Sequence, residues 1–234
     1  MIAMGCTLVC SSCNRGSQAE DGLPTIALVM KTLNNPFFID MESGAREAAD
    51  RLGVNLIVQA ADRELDVERQ MQICENLIQR KVDVLCVTPS GTREIIPAIV
   101  KANASNIPVI IVDTRADLEA LAQAGGRTAS FIGSDNYDGG KIAGQFLAET
   151  LHGRGKVAIL EGIPGHETAD SRRQGFLDAI AGHSNIELVT SQPANWERDQ
   201  GYNVFQNMLQ AHPGINGLFA ASDLMALGLS LIHI

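Results

Sequence analysis

Aromatic side chains are scarce in this 234-residue sequence: 4% of the total, with two Tyr and one Trp, which singles out Trp196. Basic residues are also few. Eighteen Lys and Arg face 27 Asp and Glu, a formal charge of −9, which argues against a nucleic-acid surface. No run of about 20 apolar residues, the length of a membrane span, occurs in the body of the chain. No GxGxxG follows the first predicted strand and no GxxxxGK[ST] occurs anywhere, so binding of dinucleotide or nucleotide phosphates has no motif. Three of the five cysteines crowd the amino terminus. Cys10 and Cys13 have CxxC spacing but neither a flanking strand and helix nor a second ligand pair, which disfavours redox and zinc readings. His152, His183 and His212 lack metal-ligand spacing, Ser134 and Asp135 have no neighbouring His, and Gly165-His166-Glu167 is not flanked as a nucleophile elbow would be.

What remains is 45% apolar, enough for a real core, and it is patterned. Thr25–Met30 is a nearly unbroken apolar run of strand length, as a parallel strand covered on both faces requires. From Phe37 the period changes: Phe37/Phe38, Met41, Ala45, Ala48/Ala49 and Leu52 fall three or four apart and paint one stripe on a helix, which Pro36 can open and Gly53 stops. Two adjacent phenylalanines on its first turn cannot both face a sheet. At least one should project over the carboxyl ends of the strands, where open α/β sheets bind ligands.

The βαβ unit recurs. Strands are expected near 25–30, 54–60, 83–88, 108–112, 128–132, 156–161, 186–191 and 217–220. Helices are expected over 36–52, 66–80, 92–104, 136–151, 168–182, 198–211 and from 223 onward. Val67, Met71, Cys74 and Ile78 should form the buried stripe of the second helix; Tyr202, Phe205 and Met208/Leu209 that of the seventh. Such alternation means right-handed crossovers and parallel sheets. The weakly patterned passage 117–129 marks a boundary. Residues 24–132 read as one lobe, 133–135 as a crossing, and 133–234 as the second lobe with its crossing. Because SDLMALGLSLIHI breaks off inside an amphipathic pattern after only three strands, the second lobe is expected to be incomplete.

The carboxyl ends of these strands collect Asn34, Asn35, Phe37 and Phe38; Gln59 and Asp62; Thr88, Ser90 and Thr92; Asp113, Thr114 and Arg115; Ser134, Asp135 and Asn136. The second lobe adds Glu161, the loop GIPGHETADSRR, Gln192, Trp196, Ser222 and Asp223. Carboxylates and amides pair with vicinal hydroxyls, Arg donates a fork of hydrogen bonds, and aromatic faces cover the C–H patches of a sugar ring. The set suits a neutral polyhydroxylated ligand better than catalysis. Of the Arg172–Arg173 pair, Arg172 is expected to point inward. Asp223 could simply cap the helix after it.

These residues carry a resemblance. TIALVMKTLNNPFF, VDVLCVTPSG, NIPVIIVDT, FIGSDNYDGGKIAG, GIPGHETADSRRQGF, SQPANWERDQG and LFAASDLMALG, in this order over about residues 24–229, resemble the periplasmic sugar-binding proteins of bacterial ABC transporters, ribose-binding type. The resemblance implies an α/β fold of type I, two Rossmann-like lobes with parallel sheets that close on a monosaccharide. It implies an ABC transporter permease as partner, while the residues themselves offer no motif for a cofactor, a metal, nucleic acid or catalysis, and none of these is expected. Position by position it implies that Asn35 hydrogen-bonds the sugar, that Phe37, Phe38 and Trp196 stack on or enclose it, that Asp113 and Arg172 bind hydroxyls, and that Ser134 lies near the cleft wall; Ser222 is a further candidate ligand contact on its own place at a strand end beside Asp223. The chain departs from the pattern at Thr114, where ribose binders typically have Arg, and at Ser222-Asp223, where they have Asn-Asp. Further Asp and Gln contacts of the family, and two of its three inter-lobe crossings, would lie beyond residue 234.

Residues 1–23 resemble a bacterial lipoprotein signal and tether, with Cys13 acylated, although the basic start is missing and the apolar run is short. That places the body in the periplasm or at the cell surface. Three other readings of the same residues are open. The effector-sensing core of a LacI-like repressor needs a basic helix-turn-helix before residue 25. An enzyme on a doubly wound fold needs a base, nucleophile or metal cluster at the strand ends. The third is a fragment without ligand function.

Overall fold

A computed structural model describes residues 22–230; the expected leader, with Cys13, falls outside that range except for its last two residues. The first lobe runs β1 (Thr25–Met30), α1 (Pro36–Leu52), β2 (Asn55–Ala60), α2 (Val67–Gln79), β3 (Val84–Val87), α3 (Ile96–Ala104), β4 (Val109–Val112), α4 (Leu118–Gln123) and β5 (Ser130–Ile132). The second runs α5 (Asn136–Thr150), β6 (Arg154–Glu161), α6 (Glu167–Ile180), β7 (Asn185–Pro193), α7 (Arg198–Ala211), β8 (Ile215–Ala220) and α8 (Asp223–Leu229). The five strands of the first sheet lie in the order β2-β1-β3-β4-β5 and the three of the second in the order β7-β6-β8. Every pairing is parallel.

Strand periodicity divides each core into two faces. In the first lobe Ala27 and Val29 face α2 and α3, packing with Ile73, Leu77, Leu85, Val109 and Ile99. Leu28 and Met30 face the other way, against Phe38, Met41 and Ala45 of α1. In the second lobe Ala158 and Leu160 meet Phe205, Met208 and Met225, while Val157 and Ile159 meet Phe176 and Ile180. Each sheet changes winding direction at its first strand, so the crevices over the carboxyl ends of β1/β3 and β6/β8 are where such sheets take ligands.

Several local expectations need correction. The passage 117–129 contains a helix, α4, capped by Asp117, whose side chain accepts from Ala120 N at 3.0 Å. Its six residues are too few to show a period. The α1 stripe stops short: in the last turn Ala49 is buried but Leu52 is 67% exposed, and Gly53 ends the helix in a left-handed conformation (φ 65°). In α2 the fully buried positions are Gln70, Ile73, Cys74, Leu77 and Ile78, so Val67 and Met71 lie on the stripe's flank. The third helix starts at Ile96 rather than Thr92. At α8 the cap is Ser222, which accepts from Met225 N at 3.3 Å, and Asp223 is already the first helical residue.

Candidate functional site

Where the two lobes face one another a cleft of about 670 Å³ opens. Asn35, Phe37, Phe38, Asp113, Ser134, Arg172, Trp196 and Ser222 all line it, so the structure brings the eight sequence-derived positions to one place.

From the first lobe, the Asn35 side chain caps α1. Its Oδ1 accepts from Phe37 N at 3.1 Å and its Nδ2 donates to Glu64 Oε1 at 3.0 Å. The cap is worth about 1 kcal/mol, and it orients the amide at the cleft mouth. The two phenylalanines separate as their adjacency requires. Phe37 is half exposed over the strand ends, whereas Phe38 is buried in the core with Leu28 and Met30; the rings meet edge to face at 5.2 Å. Phe38 thus forms cleft floor as part of the core, not as a free stacking face. Asp113 directly follows β4 in the left-handed region (φ 63°), held by its N–H, which donates to Ile132 O at 2.8 Å. Thr114 Oγ1 donates to Asp113 Oδ2 at 3.1 Å. Arg115, next in sequence, turns away and lays its guanidinium over the Phe131 ring, 3.6 Å from the centroid.

From the second lobe comes Arg172 on α6. Its Nε donates to Asn136 Oδ1 and its Nη1 to Ala221 O, both at 2.8 Å. The guanidinium carbon stands 5.7 Å from the Trp196 ring. Arg173 points elsewhere, to Glu161 Oε1 at 2.9 Å. The seat of Arg172 depends on glycines: a Cβ at Gly140 would overlap Arg172 O, and one at Gly175 would overlap Tyr137 O. Trp196 adopts φ 65°, a conformation bulky residues rarely take. It is buried in the second core, and its indole edge occupies the space a side chain at Gly162 would need. Trp196 Nε1 has no partner within the described residues. Ser134, beside the crossing, and Ser222, at the cap of α8, complete the set.

Three contributors escaped sequence reasoning. Lys31 directly follows β1 and is 2% exposed, with its Nζ 3.9 Å from Asp113 Oδ2. Burial pushes its ammonium below the usual lysine range, opposed by Asp113 and Glu64. Glu64, from the loop before α2, is raised by burial and drawn back by Lys31 and the Asn35 amide. Gln70 lies in mid-helix and lines no part of the cleft, yet it holds the floor: its Nε2 donates to Thr88 O at 2.9 Å and its Oε1 accepts from Ser90 N at 2.8 Å. The only available signal for Lys31 was its place at the end of an apolar strand over a switch point.

Charges around the cleft are unequal: Asp40, Glu64, Asp113, Asp135 and Asp223 against Lys31 and Arg172. Among the described residues, no group of three or more His, Cys, Asp or Glu could hold a metal ion, and no helix is long and apolar enough to cross a membrane. Among the same residues every hydrogen bond and ion pair joins groups of one lobe; none crosses between lobes.

Residues 26–230 match the family model described as periplasmic binding protein domain. The ribose import binding protein RbsB of Escherichia coli (strain K12) is 41% identical over 204 residues, which are 87% of this chain and 66% of that protein. The D-allose-binding periplasmic protein of the same organism is 34% identical over 205 residues, again 87% and 66%. A solved ABC transporter periplasmic solute binding protein from Actinobacillus succinogenes, with bound D-allose, superposes with a TM-score of 0.84 at 46% identity over 88% of this chain and 71% of its own. The chain therefore spans 66% of the length of these two curated relatives.

Proposed function

The chain belongs to the periplasmic binding protein domain family, and on that premise we propose that it captures a monosaccharide outside the cytoplasm, ribose or a related pentose or hexose, for an ABC transporter. The observation that carries the reading is the pairing of two facts. One cleft draws polar and aromatic side chains from both lobes, and no described protein–protein hydrogen bond spans it. A ligand with hydroxyls on several sides would supply the missing bridges and shift the lobes toward closure.

Each residue has a task in this account. Asp113 and Asn35 accept or donate to hydroxyls from the first lobe, with Lys31 and Glu64 as neighbours that complete the polar floor. Arg172 donates from the second lobe, and Ser134 and Ser222 reach the ligand's rim. Phe37 and Trp196 cover the ring faces, with Phe38 as backing. The carboxylate excess disfavours sugar acids and phosphates and leaves neutral sugars as the ligand class. Closure buries every hydroxyl, so an epimer that leaves one unpaired is rejected.

The sugar leaves unchanged, handed to a membrane permease that reads the closed surface; no cofactor and no nucleic acid enters. The setting is the periplasm or cell surface, with Cys13 as a lipid attachment that would tether the chain. Titration calorimetry of the purified chain against D-ribose, D-allose, D-arabinose and other pentoses and hexoses tests the reading, with the sugar recovered and identified by NMR. Saturable one-site heat with intact sugar is expected. Turnover of the sugar, or silence across the panel, would overturn it.

A further inference from the structure

Helix α6 sets a second side chain on the cleft, one turn ahead of Arg172. Thr168 is 4% exposed and lines the same cavity; its i, i+4 spacing puts it on Arg172's face of the helix. The backbone does not engage its hydroxyl. Thr150, at the end of α5, donates its hydroxyl to Phe146 O at 2.8 Å. Thr168 makes no such bond among the described residues, because Pro164 and Gly165, four and three positions back, lie outside the helix. Nor is its Oγ1 among the side-chain atoms shut away without a partner, as Trp196 Nε1 is. The hydroxyl therefore keeps an open face, and that face is the cleft.

The other polar side chains that the second lobe sets around the cleft are committed or one-sided. Arg172 and Trp196 can only donate. Asn136 Oδ1 is held by Arg172 and Ser222 Oγ already accepts from Met225 N. Ser134, Asp135 and Asp223 are exposed, where water competes for them. A sugar hydroxyl that accepts from Arg172 must pass its own proton on, and burial without an acceptor would leave that proton unpaired. One helical turn away, Thr168 Oγ1 is the buried side-chain acceptor left free among the described residues, and its own proton can serve a further oxygen.

We propose that Thr168 is a specificity-determining ligand contact, accepting the proton of the sugar hydroxyl to which Arg172 donates and so reading the configuration at that carbon. The inference rests on the capture reading above and goes beyond it by naming a group that discriminates. An epimer turns this hydroxyl away from α6 and gains nothing from Thr168. The contact thus shows as a gap between epimers rather than as affinity for every sugar.

The test is titration calorimetry of the whole chain, wild type beside Thr168→Val, which replaces the hydroxyl by a methyl of like size, and Thr168→Ser, which keeps it. The panel is D-ribose and D-allose, each with its epimers at C2, C3 and C4. Thr168→Val should lose about tenfold in affinity for the tightest-bound sugar, and the gap to one of that sugar's epimers should narrow by the same factor. Thr168→Ser should keep both the affinity and the gap. Unchanged affinity in Thr168→Val, or an equal loss for every sugar, overturns the contact. Should circular dichroism show Thr168→Val unfolded, Thr168→Ala takes its place and is read in the same way. Silence of the wild type toward the whole panel ends the capture reading and the contact with it, whereas wild-type binding that Thr168→Val retains ends the contact alone.

Discussion

Arg172 donates its Nε–H to Asn136 Oδ1 at 2.8 Å, which ties α6 to the first residue of α5, immediately after the chain crosses between lobes. Asn136 is itself buried. With Ala221 O holding Nη1, the guanidinium is fixed at two corners and leaves its remaining N–H groups for the cleft. Asn136→Ala should therefore loosen Arg172 without touching a ligand. A drop in sugar affinity of about tenfold, or ~1.4 kcal/mol, is expected by calorimetry. Circular dichroism should show the fold intact.

Neighbouring glycines on α5 make a matched pair for stability. A Cβ on Gly140 would collide with the Arg172 backbone carbonyl, whereas one on Gly139 meets nothing within 4 Å. Gly140→Ala should cost about 3 kcal/mol or more by forcing α5 from α6. Gly139→Ala should be neutral or stabilising by up to about 1 kcal/mol, since alanine is the better helix former. Urea unfolding of the two variants beside the wild type measures the contrast.

Thiol reactivity should separate the two cysteines of the first lobe. Cys74 is fully buried and its thiol is pushed up to about 12 by desolvation; Cys86 is raised by the same cause but is only partly buried. Because the thiolate is the nucleophile, both resist at neutral pH. Timed iodoacetamide labelling with peptide mass mapping should find Cys86 modified well before Cys74, and Cys74 only once the chain unfolds.

The sheets were legible because parallel strands buried on both faces announce themselves as short apolar runs, as TIALVM and VAILE do. Helices long enough to repeat a stripe were legible too. The six residues of α4 carried no period. Most cleft positions followed from their places at strand ends, and Arg172 from its place near the start of the helix after β6. Lys31 was missed because a lysine beside a strand ordinarily reads as solvated surface, and its burial depends on Asp113, 82 positions away. Gln70 was missed because a polar residue inside an apolar helical stripe gives no hint of the strand ends it joins. The left-handed backbone at Trp196 has no sequence signature, since bulky residues rarely adopt it, and at Asp113 the signal is only the general tolerance of aspartate for that region.

The central claim is that both lobes grip one sugar. Calorimetry with D-ribose and D-allose on the wild type, Asp113→Ala and Arg172→Ala tests it most directly. Wild type should bind one sugar per chain, and each substitution, one from either lobe, should weaken that binding by about tenfold or more. Wild-type affinity retained in either variant, or no binding by the wild type, would contradict the account.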